Sequence, residues 1–222
     1  MDIDHEPPSY SAVTKDEEYR LPPATLQISR NAICSDKSPD ESLYELSNEL
    51  NYLRDTTRAL TIKRLDTTIK SSSSPDGPPS HAVAQKRHIF DLKHPGVLTG
   101  PLFLYNAEAV SRYSLGSFGM STFRPRLFSS ARGFRVHRTA KRLDNEVLAG
   151  ALLFSAVSTK TSGVRYEWSD SRGEILAREL ESSHGCQLFI TKELSVKKRD
   201  ALVAAWVLRL WWEIAGTDDY EL

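Results

Sequence analysis

Between Ser195 and Ala215 the chain reads SVKKRDALVAAWVLRLWWEIA, and no other stretch restricts the fold as strongly. Leu202, Val203, Trp206, Val207, Leu210, Trp211 and Ile214 recur at helical spacing, which predicts an α-helix. Ser195 is placed to cap its first turn, Asp200 lies early, and Gly216 stands where it should stop. The other face carries Ala201, Ala204, Ala205, Leu208, Trp212 and Ala215, so Arg209 and Glu213 are its only charges after Asp200. A helix apolar nearly all round must be buried nearly all round. Its alanines let other backbone approach closely on one side, while three of the four tryptophans fill space on the other.

Either a protein interior or a bilayer could bury such a helix. The run from Ala201 to Ala215 would extend roughly 22 Å, short of the ~30 Å hydrocarbon core of a membrane. Arg209 lies within it, and a charge there costs about 2.5–3.5 kcal/mol on insertion. The helix is therefore expected to be a core element.

Its surroundings are expected to be β-structure. Arg58 to Ile69 alternates Leu60, Ile62 and Leu65 with β-branched threonines, the pattern of a half-buried strand. Thr25–Ile33, Arg87–Leu92, Leu102–Asn106, Gly133–Thr139, Leu152–Ser158, Val164–Ser169, Glu174–Glu181 and Cys186–Thr191 read as further short strands. Ser42–Leu50 is ambiguous, because Leu43, Leu46 and Leu50 also fit a short helix, and LGSFGM around Gly116 and Gly119 reads only as a turn. Many short strands with one helix predict a mostly β (α+β) fold, a barrel or a sandwich, rather than βαβ units.

The length of 222 residues suits one domain with tails. Residues 1–24, with Pro7, Pro8, Pro22 and Pro23 among acidic residues, are expected to form a disordered arm, and residues 25–216 the domain. The tract SSSSPDGPPS predicts a flexible loop over residues 70–85, and residues 217–222 an acidic tail. Two cysteines, Cys34 and Cys186, without CxxC or Cys/His spacing, give neither a disulfide framework nor a zinc signature. The opening MDIDHEPPSY lacks the basic and apolar regions of a secretory signal, so a soluble protein of the cytosol or nucleus, at most peripheral to a membrane, is expected.

The strand order, the segments KRHIFDLK and GFRVHR, and above all RDALVAAWVLRLWW resemble the tubby-like C-terminal superfamily, which includes the LURP-one-related proteins and phospholipid scramblases. The resemblance covers about Thr25 to Gly216 and implies a closed antiparallel β-barrel wrapped around the terminal helix. It also implies a non-catalytic role, since tubby-like domains bind phosphoinositides through basic surface residues. Scramblases are associated with membranes and calcium, but this sequence has no EF-hand-like run.

Two features point to binding. From Arg112 to Arg142 there is no Asp or Glu, while Arg124, Arg126, Arg132, Arg135, Arg138, Lys141 and Arg142 accumulate in a protein of net charge +0. Arginine forks suit phosphate oxygens, so anionic lipid headgroups are the expected partner. Alternation puts Arg135 and Val136 on opposite faces, and the bland reading is a solvated surface neutralised by Asp and Glu elsewhere. Nucleic acid is not expected, for want of a basic domain or a recognisable module. The second feature, Pro7-Pro8-Ser9-Tyr10, matches the PPxY ligand of WW domains, which accept a preset polyproline turn, and would recruit WW-bearing ubiquitin ligases. No cofactor, metal or catalytic constellation is expected: His88, His94, His137 and His184 lack ligand spacing, and GxSxG, Walker A and GxGxxG runs are missing. The expected function is thus non-enzymatic binding, set against a scramblase-like membrane protein or an unrecognised enzyme.

Overall fold

Helix α1 (Val196–Thr217) runs through the middle of the molecule, and a closed ring of strands surrounds it. The structure is a computed structural model that describes residues 19–54, 56–70, 81–94, 103, 105–125, 132–141, 147–182 and 185–217. The first half of the ring is β2 (Ala24–Ser29), β3 (Ala32–Ser35), β4 (Ser38–Leu46), β5 (Ala59–Lys70), β6 (His81–Lys93) and β7 (Tyr105–Ala109). It continues with β8 (Phe118–Phe123), β9 (Gly133–Lys141), β10 (Val147–Ser158), β11 (Val164–Asp170), β12 (Ile175–Ser182) and β13 (Gly185–Ile190). Each strand pairs antiparallel with its neighbour in sequence, and β13 returns to β2 to close the barrel. Closure leaves none of the twelve strands with an unpaired edge.

The number of strands and the helix explain each other. A barrel of about eight strands is filled by its own side chains, and a wider one needs other contents. Twelve strands leave a lumen that α1, with a body about 10 Å across, can fill. Inward residues keep register around the wall: Leu46 faces Ile62, Ile62 faces Phe90, and all three are buried. On α1, the expected core residues Leu202, Val203, Trp206, Val207, Leu210 and Trp211 are all buried, and so are Ala201, Ala204, Ala205 and Leu208 on the other face. Trp211 meets the edges of Tyr105 and His94, and Trp212 meets Phe134 at 5.1 Å.

A two-stranded ladder lies across the barrel end where α1 begins. It joins β1 (Arg20–Leu21) to β14 (Leu194–Ser195), and the Val196 amide donates to the Tyr19 carbonyl at 3.3 Å. The Ser195 hydroxyl accepts from the Lys198 amide at 3.3 Å, as the capping reading requires. Among the described residues, no helix is long and apolar enough to cross a membrane.

Several boundaries differ from the sequence reading. Thr25–Ile33 is not one strand but most of a hairpin, reversed where Arg30 takes φ 56°. Ser42–Leu50 resolves into the end of β4 and a single 3-10 turn at Leu50–Tyr52. LGSFGM is more than a turn: Gly116 (φ 99°) makes the bend, and Phe118 to Met120 open β8. β1 and the first residue of β2 fall within residues 1–24, which the sequence reading assigns to the arm, whereas Pro7, Pro8 and Tyr10 lie outside the described residues. Residues 81–85, assigned to the Ser/Pro loop, belong to β6.

Candidate functional site

The charges on α1 are the first places to look for chemistry, because burying an ion without a partner is costly. Arg209, fully buried, donates through Nη2 to Glu179 of β12 and through Nη1 to Glu213 at 2.8 Å. Arg165 of β11 holds the other oxygen of Glu213, and the Tyr166 ring lies 5.0 Å from the Arg209 guanidinium. Two cations and two carboxylates balance in charge here, while Arg209 Nε and Glu179 Oε2 have no hydrogen-bond partner among the described residues. Burial raises the Glu179 carboxyl to about 7, against the pull of Arg209 and Arg165. Burial likewise pushes the Cys186 thiol up, the opposite of what a thiolate nucleophile needs, although Arg165 lies 3.5 Å from its sulfur.

A second network sits near the other end of α1. Asp200, 1% exposed, accepts from the Tyr44 hydroxyl at 2.9 Å and from Arg64 at 2.6 Å. Arg64 also forks onto Asp66, which Arg87 approaches to 3.2 Å. Burial raises the Asp200 carboxyl to about 6, opposed by Arg64 and Tyr44. Neither network has the open nucleophile–base geometry of a catalytic site. Among the described residues no group of three or more His, Cys, Asp or Glu could hold a metal ion.

The arginine-rich segment forms a wall rather than a cluster. Arg135 stands outward on β9, its guanidinium 4.3 Å from the Phe123 ring centroid. Arg138 faces the barrel's inner side at the mouth, in register with Phe118, and donates to the Leu115 carbonyl at 2.9 Å. Arg132 lies over Trp212 at the opposite end, six positions and about 20 Å of strand from Arg138. Arg124 is exposed just beyond β8, and Arg112 covers Tyr113. Lys141 ends β9; Arg126 and Arg142 lie outside the described residues. The exposed Arg112, Arg124, Arg132, Arg135 and Arg138 form no ion pair with a described carboxylate, whereas Arg64, Arg87, Arg165, Arg178 and Arg209 all do. The adjacent strands β8, β9 and β10 contain no Asp or Glu, so the charges on these strands are of one sign. Leu148 of β10, opposite Ala140 near the end of β9, is 42% exposed.

A further gathering of cations, at the mouth beside α1, was not anticipated from sequence. Arg64, Arg87 and Arg199 come from separate elements, and only the wrapping of the barrel brings them together. The run Lys197-Lys198-Arg199 was the available signal, since cations oppose the dipole at a helix N-terminus.

No family model, curated protein or solved structure matches this chain.

Proposed function

We propose that the protein is a non-enzymatic binding protein of tubby-like type that associates with anionic lipid surfaces through the β8–β10 wall. The observation that carries this reading is the set of exposed arginines that have no carboxylate partner among the described residues, beside strands β8, β9 and β10 that contain no Asp or Glu. Arg135 faces outward from β9 while Arg132 and Arg138 stand at opposite ends of it, and charges spread over that length suit an extended anionic surface better than a compact ligand. The barrel closed around α1 supports the kinship read from the sequence, and the location that goes with it is the cytosol or nucleus, at a membrane face. The Pro7-Pro8-Ser9-Tyr10 motif supports recruitment of a WW-domain protein, such as a ubiquitin ligase, to that surface.

The test is co-sedimentation with vesicles containing phosphatidylserine and phosphatidylinositol bisphosphate. Each charge near such a surface contributes about 1 kcal/mol, so replacing Arg132, Arg135 and Arg138 together by Gln should weaken partitioning on the order of 100-fold. Added salt should weaken the wild-type protein similarly. Unaltered partitioning by a triple variant that melts normally would end the proposal. For the motif, Tyr10→Ala should abolish pull-down by a WW domain, and retained capture would remove that part.

A further inference from the structure

At the barrel end where α1 begins there is a cavity of about 360 Å³, bounded by β4, β5, β6, the loop at Tyr113, the first turn of α1 and the strap formed by β1. This is the size of a small-molecule site. Three facts distinguish it from an ordinary crevice.

The first is its charge. Arg64, Arg87 and Arg199 line it, against Asp66 on its wall and Asp200 beneath, so its described arginines outnumber its described carboxylates. The second is an unspent donor. Arg199 is 5% exposed; its Nη1 donates to the Pro22 carbonyl at 3.2 Å, while its Nε–H meets no acceptor and no described carboxylate pairs with it. A buried cation left in this state is costly unless something else completes it. The third is the place from which Arg199 projects. The first turn of this 22-residue helix contains no acid, so the positive end of its dipole adds to the side-chain charge instead of being relieved by it. Lys198 is paired with Asp170 at 3.1 Å, but Arg199 has no such neighbour among the described residues.

We propose that this cavity binds a phosphate monoester carried on a small, partly apolar body. A phosphate monoester brings close to two negative charges and three acceptor oxygens at neutral pH, suiting the positive lining and the donors of Arg87 and Arg199, since Arg64 is spent on Asp66 and Asp200. Leu21, Leu43, Leu65 and Val196 also line it and provide apolar contact for the organic part, which inorganic phosphate lacks. The Arg87 guanidinium is already held over the Tyr113 ring at 5.0 Å, so little side-chain freedom remains to be lost on binding. This site is separate from the β8–β10 wall, and its occupant can be a water-soluble molecule or the head of a lipid.

Titration calorimetry of the whole chain with phenyl phosphate, inorganic phosphate and benzoate tests the proposal. Phenyl phosphate should bind saturably and at least tenfold more tightly than either of the others. Arg199→Gln and Arg87→Gln should each weaken it tenfold or more, and the Arg132/Arg135/Arg138 triple variant should bind it unchanged. Arg87 is partly exposed, so its replacement keeps the question answerable should Arg199→Gln fail to fold. If phenyl phosphate displaces phosphatidic acid vesicles from the protein, the source is a lipid head; if the two bind together, it is a soluble monoester. Absence of saturable phenyl phosphate binding, or equal binding by a folded Arg87→Gln variant, would overturn the site while leaving the membrane reading standing.

Discussion

Glu179 and Asp200 hold their protons more tightly than exposed carboxyls do, because burial penalises the charged form more than their arginines favour it. The folded state therefore binds more protons than the unfolded chain across the interval from the ordinary carboxyl range up to about 6 for Asp200 and about 7 for Glu179. By linkage, stability is lost as pH rises through those values and gained as it falls back through them. Asp170 and Glu213 are shifted downward, so their contribution is lost only as pH falls below the ordinary carboxyl range. Thermal melts should thus show a higher midpoint near pH 5 than at pH 8, with a decline in stronger acid; a midpoint rising steadily to pH 8 would contradict this. Arg209→Met strands Glu179 and should cost about 3–5 kcal/mol at pH 8, and less near pH 5 where the carboxyl is neutral, as denaturant titration at both pH values can establish. Gly119 is fixed by a neighbour: an added Cβ would lie 2.3 Å from the Phe103 ring and 2.8 Å from its Cβ. Gly119→Ala should destabilise by about 1–3 kcal/mol in the same measurement.

Among the elements, α1 was legible because its apolar residues cover every side and leave one environment possible. Trp206 and Trp211, like Trp168, are 0% exposed, while Trp212 is partly accessible. Iodide should accordingly quench only a minor share of native tryptophan emission, and full quenching of the folded protein would refute the enclosure. Strand β8 was hidden because Gly116 and Gly119 looked like one turn, although Phe118 and Met120 carry the alternation of a wall strand. Strand β4 was hidden for a different reason. Leu43 and Leu46 suit helix and strand alike, and the choice is made by Tyr44 and Leu46 pairing with Arg64 and Ile62, which lie far away in sequence. The cations of the first turn of α1 were visible, but their companions Arg64 and Arg87 are brought to them only by barrel closure.

For the whole molecule, strand count alone permitted a barrel or a sandwich, and the need to cover a helix on all sides distinguishes them: two flat layers leave its flanks open, whereas a ring does not. The one-signed wall was partly foreseeable, since no acid occurs between Arg112 and Arg142. That β10 also lacks acids and lies beside β9 is a matter of pairing, and it extends the wall beyond the segment read from sequence. The order of the parts has its own consequence. The filling of this barrel follows all twelve of its staves along the chain, so a nascent polypeptide emerging from the ribosome presents an empty sleeve of inward-facing Leu, Ile and Phe until residues 196–217 are released. Acquisition of the native state must wait for that segment, and the waiting chain is the form most in need of a chaperone.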